Sequence, residues 1–226
     1  MQVGHSLVTA AGYARTKSER TRRAILQAAE PLFAERGFAS TRLVDVAERV
    51  GIRRASLVYY FRDKAELYRE VLSEVFGELL KRHERLRDMP GPLALRVERS
   101  VSVWVDYVAE RPSVMGLMLR EAADGKRSTA PLALANYMKP VFDELIVIIE
   151  EGQRTGEIRN VDPMQFLLTV AGATVFVFVG ATYLAPGALP PMPQQVESHR
   201  RELQLLTRSL LGIQGPRLVR KRHPHG

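Results

Sequence analysis

Apolar residues recur along most of the chain at spacings of three and four, the period of an amphipathic helix, and the chain reads as helices throughout. The spacing predicts a first helix over Ser18 to Arg36, with Ser18 as its cap, a stripe of Ile25, Ala28, Ala29, Leu32 and Phe33, and Gly37 at its end. Pro31 is an irregularity inside it, because an interior proline removes a backbone hydrogen bond. Leu43, Val46, Ala47 and Val50 predict a short second helix that stops at Gly51, and Leu57, Tyr60 and Phe61 give a third helix one buried face. Asp63 caps a long helix reaching to about Arg87, with Leu67, Val71, Val75, Leu79 and Leu80 on its apolar side. After the break at Asp88 to Pro92, further helices are expected over Leu93 to Glu110, from Pro112 to Gly125, over Leu132 to Gln153, from Pro163 to about Ala185, and over Gln195 to Leu211.

Two short helices joined by a tight turn at Gly51 form the pattern of a helix-turn-helix. Small Ala47 sits where the two cross, and the free face of the second carries Arg53, Arg54, Ser56 and Tyr59, all donors suited to phosphates and base edges in a major groove. The charge distribution agrees. Residues 1 to 68 hold 12 Lys/Arg against 7 Asp/Glu, residues 69 to 214 hold 17 against 18, and the last 12 residues add four positive charges, within a net charge of +8. Positive charge therefore gathers on the reader and on a tail, while the middle of the chain is near neutral.

The stretch GFASTRLVDVAERVGIRRASLVYYFRDKAEL resembles the DNA-binding domain of the TetR (tetracycline-repressor-like) family of bacterial transcription regulators. The matching positions are Gly37-Phe38, Thr41, Val46-Ala47, Gly51, Leu57, Tyr60-Phe61 and Lys64, whereas Ala55, Val58 and Tyr59 depart from the common pattern. The resemblance implies an all-α fold, with an N-terminal three-helix helix-turn-helix domain followed by a larger helical ligand-binding and dimerisation domain. It implies that Thr41 caps the second helix and, with Arg42, meets phosphate; that Arg53, Arg54 and Ser56 face bases; and that Tyr59, Tyr60 and Lys64 meet the DNA backbone. For Thr41 a cap alone, for Tyr60 a core role, and for Arg53 and Arg54 a solvated surface are the alternatives. On this reading residues 1–17 are a flexible basic arm, 18–66 the DNA-binding domain, 67–213 the effector-binding and dimerisation domain, and 214–226 a basic disordered tail.

Met164 to Ala185 runs 22 residues without a charge, long enough for a membrane span. Gln165, Thr169, Thr174 and Thr182 within it, and a following linker without Lys or Arg, favour a helix buried on most sides. The resemblance implies that this helix and the one over 195–211 pair with their copies in a homodimer, so that two readers meet a near-palindromic double-stranded DNA operator. It also implies a small, largely apolar effector that releases the DNA. Trp104, Tyr107, Met115, Met118, Leu119, Tyr137, Phe142, Phe166 and Phe176 are candidates to line its cavity, with ordinary core as the other reading, and Arg120, Glu121 and Asp106 are candidates to orient a polar end.

The rivals are a membrane-attached regulator using 164–185 as its span, and a helical enzyme. The second finds no nucleophile with a base, no metal constellation and no phosphate-binding loop in the sequence. The five histidines, His5, His83, His199, His223 and His225, are scattered without ligand spacing and read as surface residues. The expectation is a cytoplasmic, non-enzymatic protein with no cofactor, compatible with a chain that lacks cysteine.

Overall fold

The computed structural model describes the backbone of residues 4–125, 128, 133–184 and 192–213, with side chains described for all of these except 4–16, 133–134, 179–184 and 192–193. The expected basic tail at 214–226 lies outside the described residues. Those described form α1 (Gly4–Ser40), α2 (Leu43–Val50), α3 (Arg54–Tyr60), α4 (Lys64–Glu84), α5 (Leu93–Glu110), α6 (Ser113–Asp124), α7 (Ala133–Arg154), α8 (Pro163–Leu184) and α9 (Met192–Leu211), and no strand. Among them no helix is long and apolar enough to cross a membrane.

One boundary corrects the sequence reading. Ser18 does not cap α1, because the helix is already under way at Gly4. Residues 4 to 17, read above as a flexible arm, include Ala10, Ala11 and Ala14, and alanine is the strongest helix former.

The chain divides into two compact units, each made of two segments: Met1–Leu80 with Arg111–Lys139, and Lys81–Glu110 with Pro140–Gly226. The first unit runs past the 66/67 boundary expected above, taking in most of α4 and, through its second segment, α6.

In the first unit α1 packs against α2 and α6, and α2 against α3. Ile25, Ala29, Leu32 and Phe33 from α1, Val46 and Ala47 from α2, Leu57 from α3 and Phe61 just after it are all buried. Phe33 and Phe38 close around Tyr68 of α4, with ring centroids 4.8 and 5.3 Å from it. The α1–α6 contact is close because Gly116 has no side chain: a Cβ there would stand 2.8 Å from the Ala34 carbonyl oxygen. Polar groups seal the same seam. The Arg111 guanidinium and the Ser113 hydroxyl both donate to the Glu30 carboxylate, with Arg111 Nε 2.7 Å from Oε1. Arg120 donates to the carbonyls of Ala34, at 2.9 Å, and Glu35, acceptors left without a helical partner by the break in α1 at Gly37, where φ is 77° and ψ 173°.

In the second unit α9 packs against α5 and α8. An antiparallel ladder ties α5 to α9: Arg208 to Glu98 at 2.8 and 3.0 Å, Gln204 to Ser102 at 3.3 Å, and Arg200 to Asp106 at 2.9 Å. Numbers fall along α9 as they rise along α5, as antiparallel helices require. Beneath the ladder Val97, Val101, Val105 and Leu203 are buried.

Candidate functional site

The turn between α2 and α3 is set by Gly51. Its backbone is left-handed, φ 75° and ψ 30°, a conformation that costs a side-chain-bearing residue energy. The Ile52 N–H then closes on the Ala47 carbonyl at 3.0 Å, and α3 begins two residues later at Arg54. Leu57 and Phe61, both fully buried, fix which side of α3 faces inward. Arg53, Arg54, Ser56, Val58 and Tyr59 are therefore left outward, with Tyr59 83% exposed. Neither Arg53 nor Arg54 has an ion-pair partner among the described residues. Two unpaired guanidiniums, a hydroxyl and a phenol on one exposed face present donors to an acceptor-rich surface such as DNA. Tyr60 is half-buried, its ring edge-on to that of Tyr59 at 5.3 Å.

Three expected contact residues have work inside the protein. Thr41 is not the cap of α2: that place is held by Arg42, without a side-chain hydrogen bond. Thr41 is completely buried, and its Oγ1 lies 2.7 Å from the Gly37 carbonyl and 3.1 Å from that of Leu32, so it ties the turn to α1 and has no hydroxyl to offer phosphate. The Lys64 ammonium donates to the carbonyls of Phe38 (2.7 Å), Thr41 (3.0 Å) and Ala39 (3.1 Å), and lies 4.5 Å from the centre of the Phe38 ring. It staples the loop between α1 and α2. Arg42 remains exposed but is tethered to Asp45, which also takes Arg36 at 3.1 Å. The hydrogen bond from Arg42 holds the Asp45 carboxyl below its ordinary range.

The nine expected cavity residues are shared between the two units. Met115, Met118, Leu119 and Tyr137 belong to the first, and Trp104, Tyr107, Phe142, Phe166 and Phe176 to the second. Met115, Trp104, Tyr107 and Phe166 are buried, Met118, Tyr137 and Phe142 half-buried, and Leu119 and Phe176 exposed. The Tyr137 hydroxyl is 2.8 Å from that of Ser73. The charges expected to orient a ligand are occupied. Arg120 holds the end of α1, Asp106 pairs with Arg200, and buried Glu121 accepts from Tyr68 at 2.6 Å and from Ser128 at 2.8 Å. Burial, and then this bond to Glu121, push the Tyr68 hydroxyl well above its ordinary range.

Sequence reasoning missed a small cavity of about 10 Å³ in the second unit, with His83, Arg96, Ser100 and Glu144 as its polar lining. It also placed His83 and His199 on the surface, and both are buried. His199 Nε2 lies 3.1 Å from the Thr174 hydroxyl, which itself donates to the Val170 carbonyl at 3.0 Å. The imidazole is therefore the donor in that contact, and its burial lowers its pKa. A lone histidine in a polar stretch gives no sequence signal of this. His5, His223 and His225 fall outside the residues whose side chains are described.

Comparison with known proteins agrees with the geometry. The family model described as "Bacterial regulatory proteins, tetR family" matches residues 25–71, and a "Tetracyclin repressor-like, C-terminal domain" matches residues 92–190, together more than half of the chain. The HTH-type transcriptional regulator RutR of Escherichia coli K12 is 28% identical over 172 residues, covering 72% of this chain and 79% of that protein. The ketosteroid transcriptional regulator KstR2 of Mycobacterium tuberculosis shares the fold with a TM-score of 0.68 at 18% identity, over 84% of this chain and 94% of that one. FadR of Bacillus subtilis, solved in complex with stearoyl-CoA, does so with a TM-score of 0.63 at 16% identity, over 80% and 96%. With a left-handed glycine turn presenting an unpaired basic helix face, and both halves of the chain matched, the protein belongs to the TetR family of bacterial transcription regulators.

Proposed function

We propose that the protein is a homodimeric, cytoplasmic repressor that places α3 in the major groove of a near-palindromic operator and releases it when a largely apolar small molecule binds its helical domain. The observation that carries this reading is the outward face of α3, where Arg53, Arg54, Ser56 and Tyr59 are exposed while Leu57 anchors the helix from behind. Arg53 and Arg54 supply the base-reading donors, and Arg42 and Tyr59 flank them toward phosphate. A single reader of this size meets few base pairs, so a two-fold pair is needed to specify an operator.

The pairing surface is read from α8 and α9. Met164, Leu168 and Phe176 are 42, 50 and 66% exposed at four- and eight-residue spacing on α8, and Gly172 between them meets nothing within 4 Å. Leu205 and Leu206 are exposed on α9. An apolar stripe of this kind on one protomer is suited to burial against its copy. The apolar character of the effector is supported by what two fold neighbours are named for or solved with, a ketosteroid regulator and a stearoyl-CoA complex.

Selection of bound DNA from a random pool, followed by a screen of metabolites for release, tests the reading. The expected result is a near-palindromic consensus, with Arg53→Ala and Arg54→Ala each costing about 1–3 kcal/mol of binding and relaxing preference at specific positions. Binding by either variant with unchanged sequence preference rejects the assigned base readers.

A further inference from the structure

The cavity of the second unit contains a charge without a partner. Arg96 on α5 lines it and is half-buried; its guanidinium forms no hydrogen bond or ion pair with another described residue, and its Nε–H is buried with no acceptor. Burying one N–H of a charged group without an acceptor is costly, and such a group calls for an acceptor from outside the chain. Glu144, on the same wall, is bonded instead to Arg87, at 3.2 and 3.3 Å. The Arg87–Glu144 pair cancels, and Arg96 stands as a further positive charge on the walls. A water would satisfy the N–H; a carboxylate would satisfy it and pair with the charge as well. Beside Arg96, Leu86, Val141, Leu145 and Ile148 form an apolar wall.

We infer that Arg96 receives the carboxylate of a small monocarboxylic acid, whose apolar body lies against Leu86, Val141, Leu145 and Ile148. The planar fork of a guanidinium matches the two oxygens of a carboxylate, and a single negative charge matches that of Arg96. At about 10 Å³ the cavity admits only one oxygen-sized group, so the body of the acid enters by parting the segment around Leu86 from α7. A site that opens to bind gives its ligand differential affinity for two conformations, which is what release of DNA requires. The inference rests on the ligand-responsive reading above and gives its effector a chemical class.

The test uses the full chain and four probes: benzoate and hexanoate, with benzamide and hexanamide as neutral counterparts, titrated by calorimetry. Both acids are expected to bind at least about tenfold more tightly than their amides, as a charge-assisted pair requires. Arg96→Gln should erase that preference. Val141→Phe, which fills the space without touching the charge, should abolish acid binding, with far-UV circular dichroism melts reporting folding of both variants. Acids that bind no better than amides, or a preference that survives both substitutions, overturn the inference. Operator release separates it from the reading beneath it. Release by a neutral metabolite with no acid binding removes the inference and keeps the ligand-responsive regulator. Acid binding that depends on Arg96 but leaves operator affinity unmoved keeps the site and removes its role as effector site.

Discussion

Lys64 and Arg53 are both basic residues of the helix-turn-helix, and their surroundings give them opposite tasks. Lys64 spends its three N–H donors on the carbonyls of Phe38, Ala39 and Thr41, whereas Arg53 has none of its donors engaged within the described protein. Lys64→Met should therefore act on stability first, lowering it by on the order of 2 kcal/mol, or about 4–8 °C in Tm for a chain of this size. Thermal melts beside operator titrations check this; an unchanged Tm with weakened DNA binding would return Lys64 to the phosphate-contacting set. The distinction was not legible in the sequence, because the three acceptors lie 23 to 26 positions away in the chain. Burial of His83 and His199 and isolation of Arg96 were hidden for the same reason, since each depends on neighbours from other helices.

At the scale of elements, the periodic stripes located the helices well. The stops at Gly51 and Asp88 to Pro92 stand where the chain chemistry puts them, and the Asp63 carboxylate caps α4 as expected, 2.7 Å from the Glu66 N–H. The start of α1 was missed, because Ser18 offered a cap signal while the alanines before it carry no apolar stripe. The uncharged run of α8 was the ambiguous element, and burial divides it: Phe166, Leu167, Val170 and Thr174 face inward, while Leu168 and Phe176 face out. That division picks out the outward positions as probes of the interface. Leu168→Asp and Phe176→Asp should each yield a folded monomer in sedimentation experiments, with helical circular dichroism retained. A dimer that persists with both substitutions would move the interface elsewhere.

For the whole molecule, acid should act in two separate steps. Neutral His199 is held by burial below its ordinary value near 6.5, so the unfolded chain takes up a proton that the folded one refuses; stability is full above about pH 6.5 and declines as pH falls through it. Glu30 behaves as a carboxylate held below its ordinary value of 4.5: burial pushes it up, but the hydrogen bonds from Arg111 and Ser113 and the charge of Arg111 outweigh that. Its contribution is present above about pH 4.5 and is lost below it. Calorimetry from pH 8 to 3.5 should show a decline in Tm that sets in below about 6.5 and is removed by His199→Asn, and a further decline below about 4.5. A flat wild-type profile from pH 7 to 5 would contradict the first step. The discontinuous make-up of the first unit also bears on synthesis. Residues up to Leu80 leave the ribosome before α6, which holds the end of α1 through Arg120 and Arg111, has been made. At about 5–20 residues per second the stretch from Leu80 to Asp124 keeps the reader waiting roughly 2–9 s for its last structural partner. During that interval a nascent chain carries a DNA-reading motif whose supporting helix is still unwritten.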